Sequence, residues 1–146
     1  MIKTAVRMAL LSKIVYCDYD RINRILLKMG LKDWYWFDNE GTQAMMIKTN
    51  KELIICFRGT EPNQVADLMA DVKVWRKPAR EKGLVHFGFA QALDKVYDKI
   101  MDQIDRLQTT DLKMICTGHS LGAALATIFA SRVDAKYLYT FGSPRV

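Results

Sequence analysis

The sequence predicts an α/β domain in which mostly parallel strands are joined by crossover helices. Three observations carry this prediction. From Phe89, apolar residues recur at Leu93, Val96, Ile100, Ile104 and Leu107, the three- and four-residue spacing of one long amphipathic helix. A short apolar run, residues 112–117, follows it, then an alanine-rich stretch over 121–132 and a second short run over 136–141. Helix, strand, helix and strand in that order call for parallel strands. At 146 residues the chain is long enough for one domain with a core of its own.

The elements before the long helix read in order. Residues 5–16 and 21–29 form helices, the second with Ile22, Ile25, Leu26 and Met29 on one face and Gly30 as its terminator. Trp34, Tyr35, Trp36 and Phe37 make an aromatic strand whose rings belong to the core, and Asp38-Asn39-Glu40-Gly41 signals a turn. Residues 42–48 and 52–57 are two further strands joined at Asn50-Lys51, so the opening reads as a β-meander. Pro62 starts a short helix running to Asp71, residues 72–76 read as a strand, and Pro78 to Gly83 as a loop.

Composition bounds the partners. Half the residues are apolar and 26% charged, an ordinary globular balance. The net charge of +6 comes from scattered cations, and the densest run, Lys73 to Lys82, also holds Glu81. It reads as a solvated face, with weak attraction to an anionic lipid surface as the lesser reading and nucleic acid excluded. Lys13 interrupts the N-terminal apolar run, which reads as a first helix rather than a signal peptide. Cys17, Cys56 and Cys116 form no CxxC pair, and two histidines offer no metal spacing, so neither metal nor cofactor is expected. Unpaired thiols and the missing signal peptide together suggest a cytoplasmic location.

The chemistry concentrates at Gly118-His119-Ser120-Leu121-Gly122, which fits G-x-S-x-G between a strand and a helix. Such an elbow lifts a serine clear of the sheet on a strained backbone. Large side chains two residues before or after would collide across the turn, so glycines are needed at 118 and 122. The helix N-terminus turns backbone N–H groups and positive dipole charge towards a developing oxyanion. Two blander readings compete: a serine N-cap on an ordinary helix, and a dinucleotide-binding turn. The second lacks G-x-G-x-x-G spacing, and Tyr139 and Thr140 stand where its acidic residue would fall.

Four segments carry a resemblance over most of the chain: Cys56-Phe57-Arg58-Gly59-Thr60, Asp67 to Asp71, Val85-His86-Phe87-Gly88-Phe89, and Thr117 to Ala124 with Thr140 to Val146. In this order and spacing they resemble the class 3 (fungal-type) lipases of the α/β-hydrolase superfamily. The resemblance implies a sheet with flanking helices, cut short at its C-terminal side, and a single incomplete domain over residues 1–146. It implies Ser120 as the acylated nucleophile, Thr60 and Leu121 as oxyanion donors, and an acylglycerol or phospholipid ester as substrate. It also implies that the triad's aspartate and histidine follow the segment ending at Val146. Arg58 is expected to form a structural ion pair with Asp67 or Asp71, and His86 to anchor a loop to the long helix. Residues 67–83 sit where a lid would. The strand over 136–141 is expected at a sheet edge, open to a second chain or to self-association. A binding module that keeps the elbow without turnover is the alternative to an enzyme.

Overall fold

The computed structural model describes residues 2–59, 76–78, 84–109 and 111–146, and the side chains of 76–78 and 84–86 lie outside that description. The expected helix over 62–71 and the lid span fall largely outside it as well.

Helix α1 (Ile2–Ile14) starts and ends a little earlier than expected, and buries Met8, Leu11, Ser12 and Ile14. Helix α2 (Tyr19–Lys28) is capped by Asp18, whose side chain accepts from the backbone N–H of Arg21 at 2.9 Å. That bond holds the Asp18 carboxyl below the ordinary aspartate value. Gly30 ends the helix in the left-handed region, φ +75°, where glycine meets no Cβ penalty.

Strands β1 (Trp34–Asn39), β2 (Thr42–Lys48) and β3 (Glu52–Phe57) form the expected antiparallel meander. Asn39 pairs with Thr42, leaving Glu40 and Gly41 as a two-residue turn with φ of 47° and 80°. Both positive values match the turn type that follows the twist of a hairpin. At the next turn the Thr49 hydroxyl accepts from the N–H groups of Lys51 and Glu52.

Strands β4 (Arg76–Pro78) and β5 (Leu84–His86) pair antiparallel as a separate two-stranded sheet. Pro78, expected to open a loop, thus lies at a strand end opposite Leu84. Helix α3 (Phe87–Leu107) buries Phe89, Leu93, Val96 and Ile100 along the expected stripe. Strand β6 (Lys113–His119), helix α4 (Leu121–Arg132) and strand β7 (Tyr137–Phe141) complete the described elements.

The main sheet has the order β1-β2-β3-β6-β7 and is mixed. Its meander half is antiparallel, while β6 runs parallel to both β3 and β7. Alternate residues of each strand point to opposite faces. Phe37, Ala44, Met46, Leu53, Ile55, Phe57 and Cys116 pack on α3 and α4. Met45, Ile47, Ile54, Cys56 and Ile115 pack on α1 and α2. The sheet is therefore the middle of three layers, and the aromatic rings of β1 join the core as expected: Phe37 on one face, Trp34 and Trp36 on the other. An ion pair from Arg132 to Asp94 ties α4 to α3, and the Arg132 guanidinium also lies 5.1 Å from the Tyr97 ring centre. Strand β7 pairs on one side only among the described residues, and Tyr137 and Leu138 are each 41% exposed there. The expected edge is thus present.

This layering accounts for the cysteines. Cys56 and Cys116 sit on neighbouring strands, yet they face opposite sides of the sheet and cannot bridge. Burial pushes both thiols from 9.0 up to about 12. Neither is expected to react with iodoacetamide at pH 8 until the protein is unfolded, and modification of either in the native state at that pH would refute this. A folded thiol pKa above the unfolded one also means that stability is full below pH 9.0 and falls as pH climbs towards about 12.

Candidate active site

The elbow forms where β6 gives way to α4. Ser120 has φ 55° and ψ −127°, a conformation that costs a non-glycine residue about 1–3 kcal/mol. Neighbouring bonds hold it there. Its N–H donates to the Phe141 carbonyl at 3.0 Å, and its own carbonyl accepts from Ala123 at 2.9 Å. It stands at the N-cap position of α4, but its side chain makes no capping hydrogen bond, and the residue is 6% exposed.

The two glycines do what the sequence requires of them. A Cβ on Gly118 would fall onto the Gly122 carbonyl group and 2.8 Å from the Ala123 nitrogen. A Cβ on Gly122 would overlap the Phe57 carbonyl oxygen and lie 3.0 Å from the Arg58 carbonyl carbon. Helix α4 can thus press against the end of β3 only because position 122 lacks a side chain. Ala123, Ala124 and Ala126 are fully buried behind it.

Leu121 is the first residue of α4, so its N–H has no partner in the helical ladder and faces the same end as Ser120. Thr60, the other expected oxyanion donor, lies outside the described residues. Its predecessor does not: a Cβ on Gly59 would come 3.1 Å from the Gly122 nitrogen and 2.5 Å from the His119 carbonyl oxygen. The strand that leads to Thr60 therefore passes directly against the elbow.

His119 packs against Tyr16. Its Nδ1 is 3.2 Å from the Tyr16 hydroxyl, and Gly142 lies on the other side of its ring, where an added Cβ would be 3.4 Å from Nε2. The side chain of His86 is not described. Asp67 and Asp71, the expected partners of Arg58, are likewise outside the described residues; the Arg58 guanidinium carbon lies 5.7 Å from the centre of the Tyr16 ring. Tyr16 is a site residue that the sequence did not reveal, because nothing local marks the end of α1 as a neighbour of the elbow. Among the described residues, no cluster of three histidine, cysteine or acidic side chains could hold a metal ion, and no helix is long and apolar enough to cross a membrane.

Comparisons with known proteins extend this geometry. A secreted mono- and diacylglycerol lipase 1 from Fusarium solani is 43% identical over 68 residues, 42% of this chain and 20% of that protein. A secreted mono- and diacylglycerol lipase A from Penicillium cyclopium is 33% identical over 107 residues, 67% of this chain and 34% of that protein. This chain thus spans about a third or less of the length of these curated relatives. Lipase II from Rhizopus niveus superposes with a TM-score of 0.77 at 21% identity, covering 99% of this chain and 63% of its own, which establishes the α/β-hydrolase fold.

The secreted relatives correct one expectation. They point to an extracellular rather than a cytoplasmic location. Two of the unpaired cysteines that suggested the cytoplasm, Cys56 and Cys116, are kept apart by the sheet and protected by burial, so their lack of pairing says nothing about a reducing compartment. A family model described as Lipase (class 3) matches residues 54–146, more than half of the sequence and all of the elbow, and the chain belongs to that family.

Proposed function

We propose that the protein is a lipase-type serine hydrolase acting on acylglycerol or related carboxylic esters, with Ser120 as nucleophile. The observation that carries this reading is the backbone of Ser120, held at φ 55° and ψ −127° at the head of a buried helix, with its hydroxyl not used for capping. Oγ would attack the ester carbonyl carbon while a base takes its proton. The C–O bond to the alcohol would then break, with the proton returned to the leaving oxygen. Water, activated by the same base, would release the acid from the acyl-enzyme. The N–H groups of Leu121 and Thr60 are the donors for the oxyanion, and losing one such donor typically costs about 10²–10³-fold in rate.

The base and its carboxylate are proposed to come from outside residues 1–146, since His119 is engaged by Tyr16. Among the described residues β7 pairs on one side only, and such a segment or chain would pair along its other side. The same engagement of His119 favours a second reading, a binding module that retains the elbow without turnover.

Mass spectrometry of the chain together with the segment or partner that supplies the base, after exposure to a fluorophosphonate probe, separates the two. The expected result is a single adduct on Ser120 that disappears in Ser120→Ala. A folded sample that takes up no probe would overturn the catalytic reading.

A further inference from the structure

We propose that Tyr16 is a positioning residue for the reaction: its phenol ties the end of α1 to both chain segments that build the oxyanion site, and so sets their separation. This rests on the reading of Ser120 and its neighbours given above.

Three contacts converge on the one side chain. The hydroxyl lies 3.3 Å from the His119 carbonyl oxygen, to which it donates, and 3.2 Å from His119 Nδ1. Both bonds are satisfied together when Nδ1 carries its proton and donates to the phenol oxygen. The phenol also occupies the space beside Gly59, where an added Cβ would run into the Tyr16 oxygen. The ring, finally, stands under the Arg58 guanidinium and edge-on to the His119 ring, with centroids 6.1 Å apart.

The consequence is geometric. The segment His119-Ser120 is gripped from two sides, by the Phe141 carbonyl on the Ser120 N–H and by Tyr16 on the His119 carbonyl. The segment Arg58-Gly59, which leads to Thr60, is packed on that same phenol. Two donors from separate segments of the chain must meet one oxygen within a few tenths of an ångström. A single side chain touching both segments gives them a common reference. A Cβ at residue 59 would meet this phenol as well as the His119 carbonyl oxygen, 2.5 Å away, so glycine lets the segment approach both.

The test compares Tyr16→Phe with Ser12→Ala. The first removes one oxygen and keeps the ring contacts. The second removes the hydroxyl that links α1 to Thr117 of β6 at 3.0 Å, inside the core rather than at the phenol, so it reports on the docking of α1. Two readouts are needed. Amide hydrogen exchange should quicken in peptides spanning 57–60 and 118–123 in Tyr16→Phe, with β1 and β2 unchanged. In time courses with a soluble fluorophosphonate, the maximal inactivation rate should fall roughly tenfold or more with half-saturation unchanged, as expected when alignment rather than binding is lost. Ser12→Ala should lower Tm and leave that rate alone.

Unchanged exchange at the elbow, or an unchanged maximal rate, would overturn the proposal. An equal loss in Ser12→Ala would do so too, by reducing Tyr16 to a support for the helix. If the unsubstituted protein takes up no probe, the catalytic reading fails, and the exchange comparison still decides whether Tyr16 tethers the two segments.

Discussion

Phe129→Ala is expected to destabilise the domain by about 3–5 kcal/mol, the range for truncating a large aromatic side chain in a packed core. Phe129 is fully buried in α4. Its ring centre lies 5.4 Å from that of Phe57 on β3 and 5.6 Å from that of Tyr97 on α3. One side chain thus joins sheet, α3 and α4. The cavity cannot collapse easily, because the backbones of α4 and β3 are already in contact at Gly122 and Phe57. Urea denaturation followed by tryptophan fluorescence would show a lower midpoint with the slope preserved. A loss below about 1 kcal/mol would mean that the layers repack around the gap, contrary to the cavity argument.

The second large effect is expected at Gly122→Ala. The added methyl meets the Phe57 carbonyl oxygen, a backbone atom fixed in the β2–β3 ladder and unable to swing aside as a side chain would. Either α4 lifts from the end of β3 or β3 bends, at a cost of about 1–3 kcal/mol or somewhat more. The same displacement moves Leu121 and the path of Gly59, so probe uptake at Ser120 should drop far more than the modest loss of stability explains. Wild-type Tm together with wild-type labelling would falsify the close-approach account of this glycine. Retained stability with lost labelling would instead confine the strain to the elbow.

Much of this molecule was legible because its signals are local. The meander announces itself through short aromatic and apolar runs separated by the Glu40-Gly41 and Asn50-Lys51 turns. The elbow is visible because strand, glycine pair and helix follow one another within a few residues. Helix α3 shows its face by periodicity alone, and Phe89, Leu93, Val96 and Ile100 are buried as that spacing requires. What stayed hidden depends on residues far apart in the chain. Tyr16 meets the elbow only after α1 has docked on β6, and no spacing near residue 16 records that contact. The cysteines misled for a related reason. Lack of pairing was read as a chemical environment, whereas for Cys56 and Cys116 it follows from the opposite sides of the sheet that they face. Of the strand expected over residues 72–76, only Arg76 lies among the described residues, where it begins β4 and pairs with His86.

The mixed sheet also bears on how the chain assembles. The pairings among β1, β2 and β3 need only two tight turns to form. The pairing of β3 with β6 joins Glu52 to Lys113 and Phe57 to Gly118, so the whole chain between them must be gathered first. Closing that loop costs entropy before any contact rewards it. Ser120 therefore stands on the most costly junction in the described fold: the meander can fluctuate into place on its own, but Ser120 acquires its strained geometry only once the distant halves of the sheet have met.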